Sequence, residues 1–109
     1  MKMPASIMVL GQQVAIRARP EAELPKVYGQ WKAKQRRIDI RTRMTRFDTV
    51  DTLLHEIFHS ILTHQAREYS DKMEEHFVNS LAHGLTAVLK DNPDLRAWLD
   101  DVCRKMETP

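Results

Sequence analysis

Only one cysteine (Cys103), three glycines and no apolar run of membrane length occur in these 109 residues. One thiol cannot close an intramolecular disulfide or build a cysteine-based zinc site, and no motif supports it as a nucleophile. On the last predicted helix it is expected to be a packing residue. No window nears the ~18 uninterrupted apolar residues a membrane helix needs, and residues 1–10 are too short and too weakly apolar for a secretory signal. The expected location is therefore cytoplasmic. No internal repeat or low-complexity tract breaks the chain, and with few Gly and Pro, disorder is expected only at the ends. The length suits one domain with a modest core, 1–109.

Charge is present in quantity but unevenly placed. Residues 1–46 hold eleven Lys/Arg against three Asp/Glu, giving +8, whereas 47–109 hold six against twelve, giving −6. The first part is β-rich in pattern and the second helical. Segments 7–10 and 13–19 look like strands with Gly11 and Gln12 between them as a turn, and Val14, Ile16 and Ala18 alternate with polar neighbours. Two prolines and two glutamates make 20–25 a surface connection, with a helical turn. Segments 27–34 and 37–43 read as the arms of a hairpin closing near Gln35 and Arg36.

Three helices are predicted to follow. The first is capped by Asp48 or Thr49, with Asp51 in its first turn, and runs to about His64. The second starts near Asp71, with Glu74 three residues on, and carries Phe77, Val78, Leu81, Leu85, Val88 and Leu89 at helical spacing. Asn92 and Pro93 then stop one helix and start another, whose buried stripe is expected from Leu95, Trp98, Leu99, Val102 and Met106. Strands first and helices after give an α+β fold, with a small N-terminal antiparallel β-sheet of three to four strands followed by three helices.

The chemistry is placed at 52–62, TLLHEIFHSIL, where His55, Glu56 and His59 form H-E-x-x-H. Four residues is about one helical turn, so both imidazoles can converge on one metal ion. Glu56, about 100° further round, can reach a water at that ion without being a ligand. Leu53, Leu54, Ile57, Phe58 and Ile61 form an apolar stripe with the histidines at its edge, so they face a cleft while anchored. The competing possibility is a core helix with two incidental histidines, but a carboxylate buried between them is costly without a metal or charge partner.

A catalytic zinc takes three protein ligands and keeps a fourth position open. The third is sought among His64, Glu68, Glu74, Glu75, His76 and His83. His64, five residues past His59, points away from the pair, and the extended H-E-x-x-H-x-x-G-x-x-H pattern fails because Leu62 and Gln65 fill its last two positions. Glu75 leads, at the edge of the second helix's stripe and two turns before a small Ala82 that permits close approach. Glu74 is its nearest competitor.

With EEHFVNSLAHGLTAVLKDNPDL at 74–95 following the motif helix, the chain resembles small zincin-like metallopeptidases of phages and prophages, similar in plan to the ImmA/IrrE group. The resemblance covers roughly 28–95. It implies a minimal zincin-like fold with H-E-x-x-H on the first long helix, Zn2+ as cofactor, His55, His59 and Glu75 as ligands, and Glu56 as catalytic base. The chain lacks the helix-turn-helix domain of many relatives, which puts direct operator recognition in doubt. SprT-like DNA-associated proteases are a lesser match, since they place a third His where Glu stands here.

The expected function is a zinc-dependent endopeptidase acting on a specific protein or peptide, which an exposed hairpin edge at 28–34 or 38–43 would bind as an added strand. Tyr69, His76 and His83 are candidates to stabilise the oxyanion. The alternative is a non-catalytic or regulatory zinc protein. In it, Lys32, Lys34, Arg36, Arg37, Arg41, Arg43 and Arg46 would give a basic surface for nucleic acid, or simply a solvated sheet face.

Overall fold

The computed structural model describes residues 3–65 and 70–106. Glu68 and Tyr69 therefore lie outside the described residues. Among the described residues four strands, β1 (Ser6–Val9), β2 (Gln12–Arg19), β3 (Gly29–Lys32) and β4 (Arg37–Arg41), precede three helices, α1 (Arg46–His64), α2 (Asp71–Asp91) and α3 (Pro93–Met106). The α+β order expected from the pattern is the order observed.

The strands form one sheet in the order β1-β2-β4-β3. β1 pairs with β2 and β3 with β4 in antiparallel fashion, but β2 and β4 are parallel, with Ile16 opposite Ile38 and Ala18 opposite Ile40. The sheet is thus mixed, which corrects the expectation of an antiparallel one. The cause is burial. Ile38, Asp39 and Ile40 are all buried, so β4 takes the centre, while β3, with Gly, Gln and Lys, is suited to an edge. The chain leaves β2, makes the expected turn, in which Leu24 N–H reaches the Pro20 and Glu21 carbonyls, and returns outside β4.

The first hairpin turns at Leu10 and Gly11, both with positive φ (49° and 81°), one residue earlier than the sequence suggested. Consecutive left-handed residues match the right-handed strand twist, and Gly11 meets this requirement without steric cost.

Side chains of Val9, Val14, Ile16, Ile38 and Ile40 form the sheet's inner face, and α1 lays Leu53, Ile57 and Ile61 on it. α1 starts earlier than expected, because the Thr45 hydroxyl accepts the Asp48 N–H (3.1 Å) and draws Asp48 into the first turn. Ser70 caps α2 in the same way through the Met73 N–H. At the α2/α3 junction the Asn92 amide donates to the Val88 carbonyl and the Asn92 carbonyl accepts from the Arg96 N–H, with Pro93 opening α3 as predicted.

α2 packs through Val78, Ala82 and Thr86, and leaves Phe77, Leu81, Leu85 and Val88 exposed. The expected stripe is rotated because a row of smaller side chains lets the helix approach α1 closely. α3 buries no residue: of its expected stripe Leu95 and Val102 are half-buried while Trp98, Leu99 and Met106 are exposed, and Cys103 is exposed rather than internal. No helix among the described residues is long and apolar enough to cross a membrane.

Candidate metal centre

The site lies where α1 passes the free edge of β3. Thr52, Glu56 and Ser60 recur every four residues along α1, and all three are buried, so Glu56 is carried into the protein by its helix. Gly29 makes room for it. A Cβ there would lie 2.6 Å from Thr52 Cγ2, 3.2 Å from the Asp39 carbonyl oxygen and 3.3 Å from Glu56 Cγ. Trp31, two residues on, donates its main-chain N–H to the Glu56 carboxylate. Its indole N–H donates to Thr63 Oγ1 (3.0 Å), which in turn donates to the His59 carbonyl, so one residue ties β3 to both ends of the motif turn.

Burial pushes the Glu56 carboxyl up to about 7, reinforced by the negative charge of Glu75 and opposed by His59 and the Trp31 N–H. An acid with that value exchanges its proton near neutrality, the property a general base needs. Burial lowers His55 from its ordinary value, and His59 acts in the same direction while Glu75 and Asp51 oppose it.

His55 and His59 present their Nε2 atoms to each other at 3.1 Å, with ring centroids 4.8 Å apart. The Glu75 carboxylate spans the pair, with Oε1 2.9 Å from His55 Nε2 and Oε2 3.0 Å from His59 Nε2. His55, Glu56 and His59 also offer ligand atoms within 4.8 Å of one another. Yet Glu56 comes only to 3.9 Å of His55 Nε2, so Glu75 is the closer third donor and Glu56 stands beside the cluster.

Two imidazole nitrogens and a carboxylate, facing one another at 2.9–3.1 Å, all bear lone pairs and need a proton or cation between them. Ligands about 2.0–2.1 Å from a tetrahedral zinc stand about 3.3–3.4 Å apart, so the donor set fits that ion with a slight expansion. The fold brings Glu74 to the opposite side of His59, its Oε2 2.5 Å from Nδ1.

The other candidates go elsewhere. His83 faces Asp51 (3.7 Å) and the Phe47 ring and is largely exposed; His76 lies against Phe77; His64 sits beside Trp31 and bonds Ser60. A cleft of about 750 Å³ opens over the cluster, lined by 26–31 on one side and Asp51, His55, Glu56, His59, Glu75 and Asn79 on the other. The sequence alone does not mark Gly29 and Trp31 as site residues. Their signal was a glycine and an aromatic two apart on one strand face, which gains meaning only once α1 is known to cross there. Comparison with protein-family models, curated proteins and solved structures finds no match.

Proposed function

We propose that this chain is a zinc-dependent metallopeptidase acting on a specific protein, with His55, His59 and Glu75 holding the ion and Glu56 as the base. The observation that carries it is the separation of roles in one cleft: three donors converge, and a further carboxyl, that of Glu56, is buried and held apart from them by a strand amide. Zinc bound there supplies Lewis-acid chemistry, acidifying water and polarising a carbonyl.

The protein's own groups supply the remainder. Glu56 takes a proton from the attacking water as it adds to the peptide carbonyl, and returns it to the leaving amine. A substrate is oriented by the edge strand. The Arg41 N–H bonds the Tyr28 carbonyl, and bonding alternates along an antiparallel pair. Gly29 and the Trp31 carbonyl therefore face the open edge, while the Trp31 N–H is given to Glu56. An extended peptide adding to β3 lies along the cleft. The second edge anticipated, 38–43, is not available, because β4 is flanked on both sides.

The test combines metal content with cleavage of an unfolded protein substrate. Stoichiometric zinc in the wild type, lost in His55→Ala, together with cleavage abolished in Glu56→Gln at retained zinc, supports the proposal. Absence of metal from the wild type, unchanged in His55→Ala, rejects it.

The alternative, a basic surface for nucleic acid, has one observation behind it. Opposite the buried Val14, Ile16, Ile38 and Ile40, the outer sheet face carries Arg17, Arg19, Lys32, Arg37 and Arg41. Several are already engaged, however. Arg37 grips the buried Asp39, Arg19 and Lys32 approach it within 4.0 Å, and Arg41 binds the Leu24 carbonyl and lies over Tyr28. Steeply salt-dependent DNA or RNA binding, unaffected by Glu56→Gln, would favour it.

A further inference from the structure

The two adjacent glutamates at the start of α2 meet opposite sides of one imidazole. Glu75 faces His59 Nε2, within the donor cluster, whereas Glu74 Oε2 is 2.5 Å from Nδ1. The nitrogens of a histidine ring point in diverging directions. An ion held by His59 Nε2 is therefore out of reach of the Glu74 carboxylate. We propose that Glu74 is a positioning residue, orienting His59 toward the metal, while Glu75 completes the ligand set; this rests on the metal site proposed above.

The bond has two consequences for His59. As an obligate acceptor, the carboxylate requires the hydrogen to sit on Nδ1, which leaves the Nε2 lone pair facing the cluster. It also fixes rotation about the ring's last torsion, which is otherwise broad and permissive. Carboxylates on the far nitrogen of a ligating histidine raise its basicity and fix its orientation, and their removal costs about 10–100-fold in metal affinity.

The fold favours this use of Glu74. Its side chain is 26% exposed against 51% for Glu75, so it is the more confined of the two. It lies in the first turn of α2, capped by Ser70, where the positive end of the helix dipole favours a carboxylate. Among the described residues no carboxylate bonds His55 Nδ1 in the same way. His55 is set by its place on α1, and His59 by α1 and α2 together. The i, i+1 spacing, about 100° around a helix, is what lets one helix end serve both sides of the ring.

Zinc titrations by chelator competition and the absorption spectrum of the Co2+-loaded protein test this on the full chain. Glu74→Ala is expected to weaken zinc binding 10–100-fold while its cobalt bands keep the wild-type form. Glu74→Gln, whose amide oxygen still accepts from Nδ1, should recover most of that loss. Glu75→Ala should weaken zinc further than any Glu74 variant and change the cobalt bands, because a ligand is gone. Wild-type affinity in Glu74→Ala overturns the assignment and leaves the metal site standing, and so does an exchange of the two phenotypes, which would make Glu74 the ligand. A wild type that binds neither ion removes the metal site and this inference with it. Should Glu74→Ala not fold, Glu74→Gln decides: a loss as large as that in Glu75→Ala overturns the assignment.

Discussion

The two sides of the candidate metal centre are built to different standards. On the sheet side, Val14, Ile16, Ile38 and Ile40 are 0–6% exposed and α1 is fastened to β3 through Trp31. On the other side, α2 buries Val78, Ala82 and Thr86, and α3 buries nothing. His55, Glu56 and His59 belong to the firm side; Glu74 and Glu75 come from the one with the smaller apolar core. The difference teaches where an ion would act. A metal shared by α1 and α2, as proposed, would add to the less anchored side a tie that burial alone does not provide.

The largest effect expected is therefore that of metal on stability. With free zinc about 1,000-fold above its Kd, binding to the folded state alone adds about 4 kcal/mol. At about 4–8 °C per kcal/mol for a domain of this size, melting should rise by roughly 20 °C. Thermal melts with zinc and with a chelator measure it. His59→Ala should remove the increment, and a wild type with identical melts in both conditions would break the comparison.

Next is the pH dependence of the metal-free protein, which reports on the firm side. The Glu56 carboxyl rises from 4.5 in the unfolded chain to about 7 when folded. At this group the folded state then binds more protons between these values, so the stability Glu56 contributes is fully present below 4.5 and is lost as pH rises through 7. A shift of this size corresponds to about 3 kcal/mol. Glu56→Gln, uncharged and of nearly equal size, should be more stable than wild type by up to about 3 kcal/mol at pH 8, with the two converging below pH 4.5. Urea denaturation across pH checks it, and equal curves at pH 8 would mean that Glu56 is not desolvated. The lowered His55 is common to both proteins and largely cancels in the difference.

A smaller effect concerns the seam between β3 and α1. Gly29→Ala places a methyl 2.6 Å from Thr52 Cγ2. β3 must then withdraw, at about 2 kcal/mol for overpacking, carrying the Trp31 N–H away from Glu56. Thr52→Ser removes the obstructing methyl, so the double variant should recover most of the loss. A single variant as stable as wild type would show the seam to be looser than the sheet.

How much of this could be read from the sequence follows the range of the cause. His55, Glu56 and His59 were legible because a four-residue spacing on a helix is a local fact. Glu75 was legible as a neighbour of the two histidines, since Ala82 marks a face able to approach. The central parallel pairing was not, because it depends on β4 being more buried than β3, which alternation within either strand does not reveal. Nor was the inward row of α2. Periodicity gave an apolar stripe, but close approach selected the smaller Val78, Ala82 and Thr86, and the larger Phe77, Leu81 and Leu85 were turned outward. Gly29 acquires its role from a helix that crosses it more than twenty residues later in the chain.

The smallest effect expected lies at α3. Trp98 has the amphipathic spacing of a core residue, yet it is 60% exposed on a helix with no buried residue. Truncation of a side chain that touches little should cost no more than about 0.5 kcal/mol, as for surface positions generally. Urea denaturation of Trp98→Ala, followed by far-UV circular dichroism because the variant loses a fluorophore, should give a midpoint close to wild type. The m-value decides what a larger change means. A midpoint shift above about 1 kcal/mol at unchanged m would place Trp98 in a packed interface and erase the contrast between the two sides of the site. An unchanged midpoint leaves α3 outside the packed core, and leaves the firmness of the candidate site to the sheet and α1.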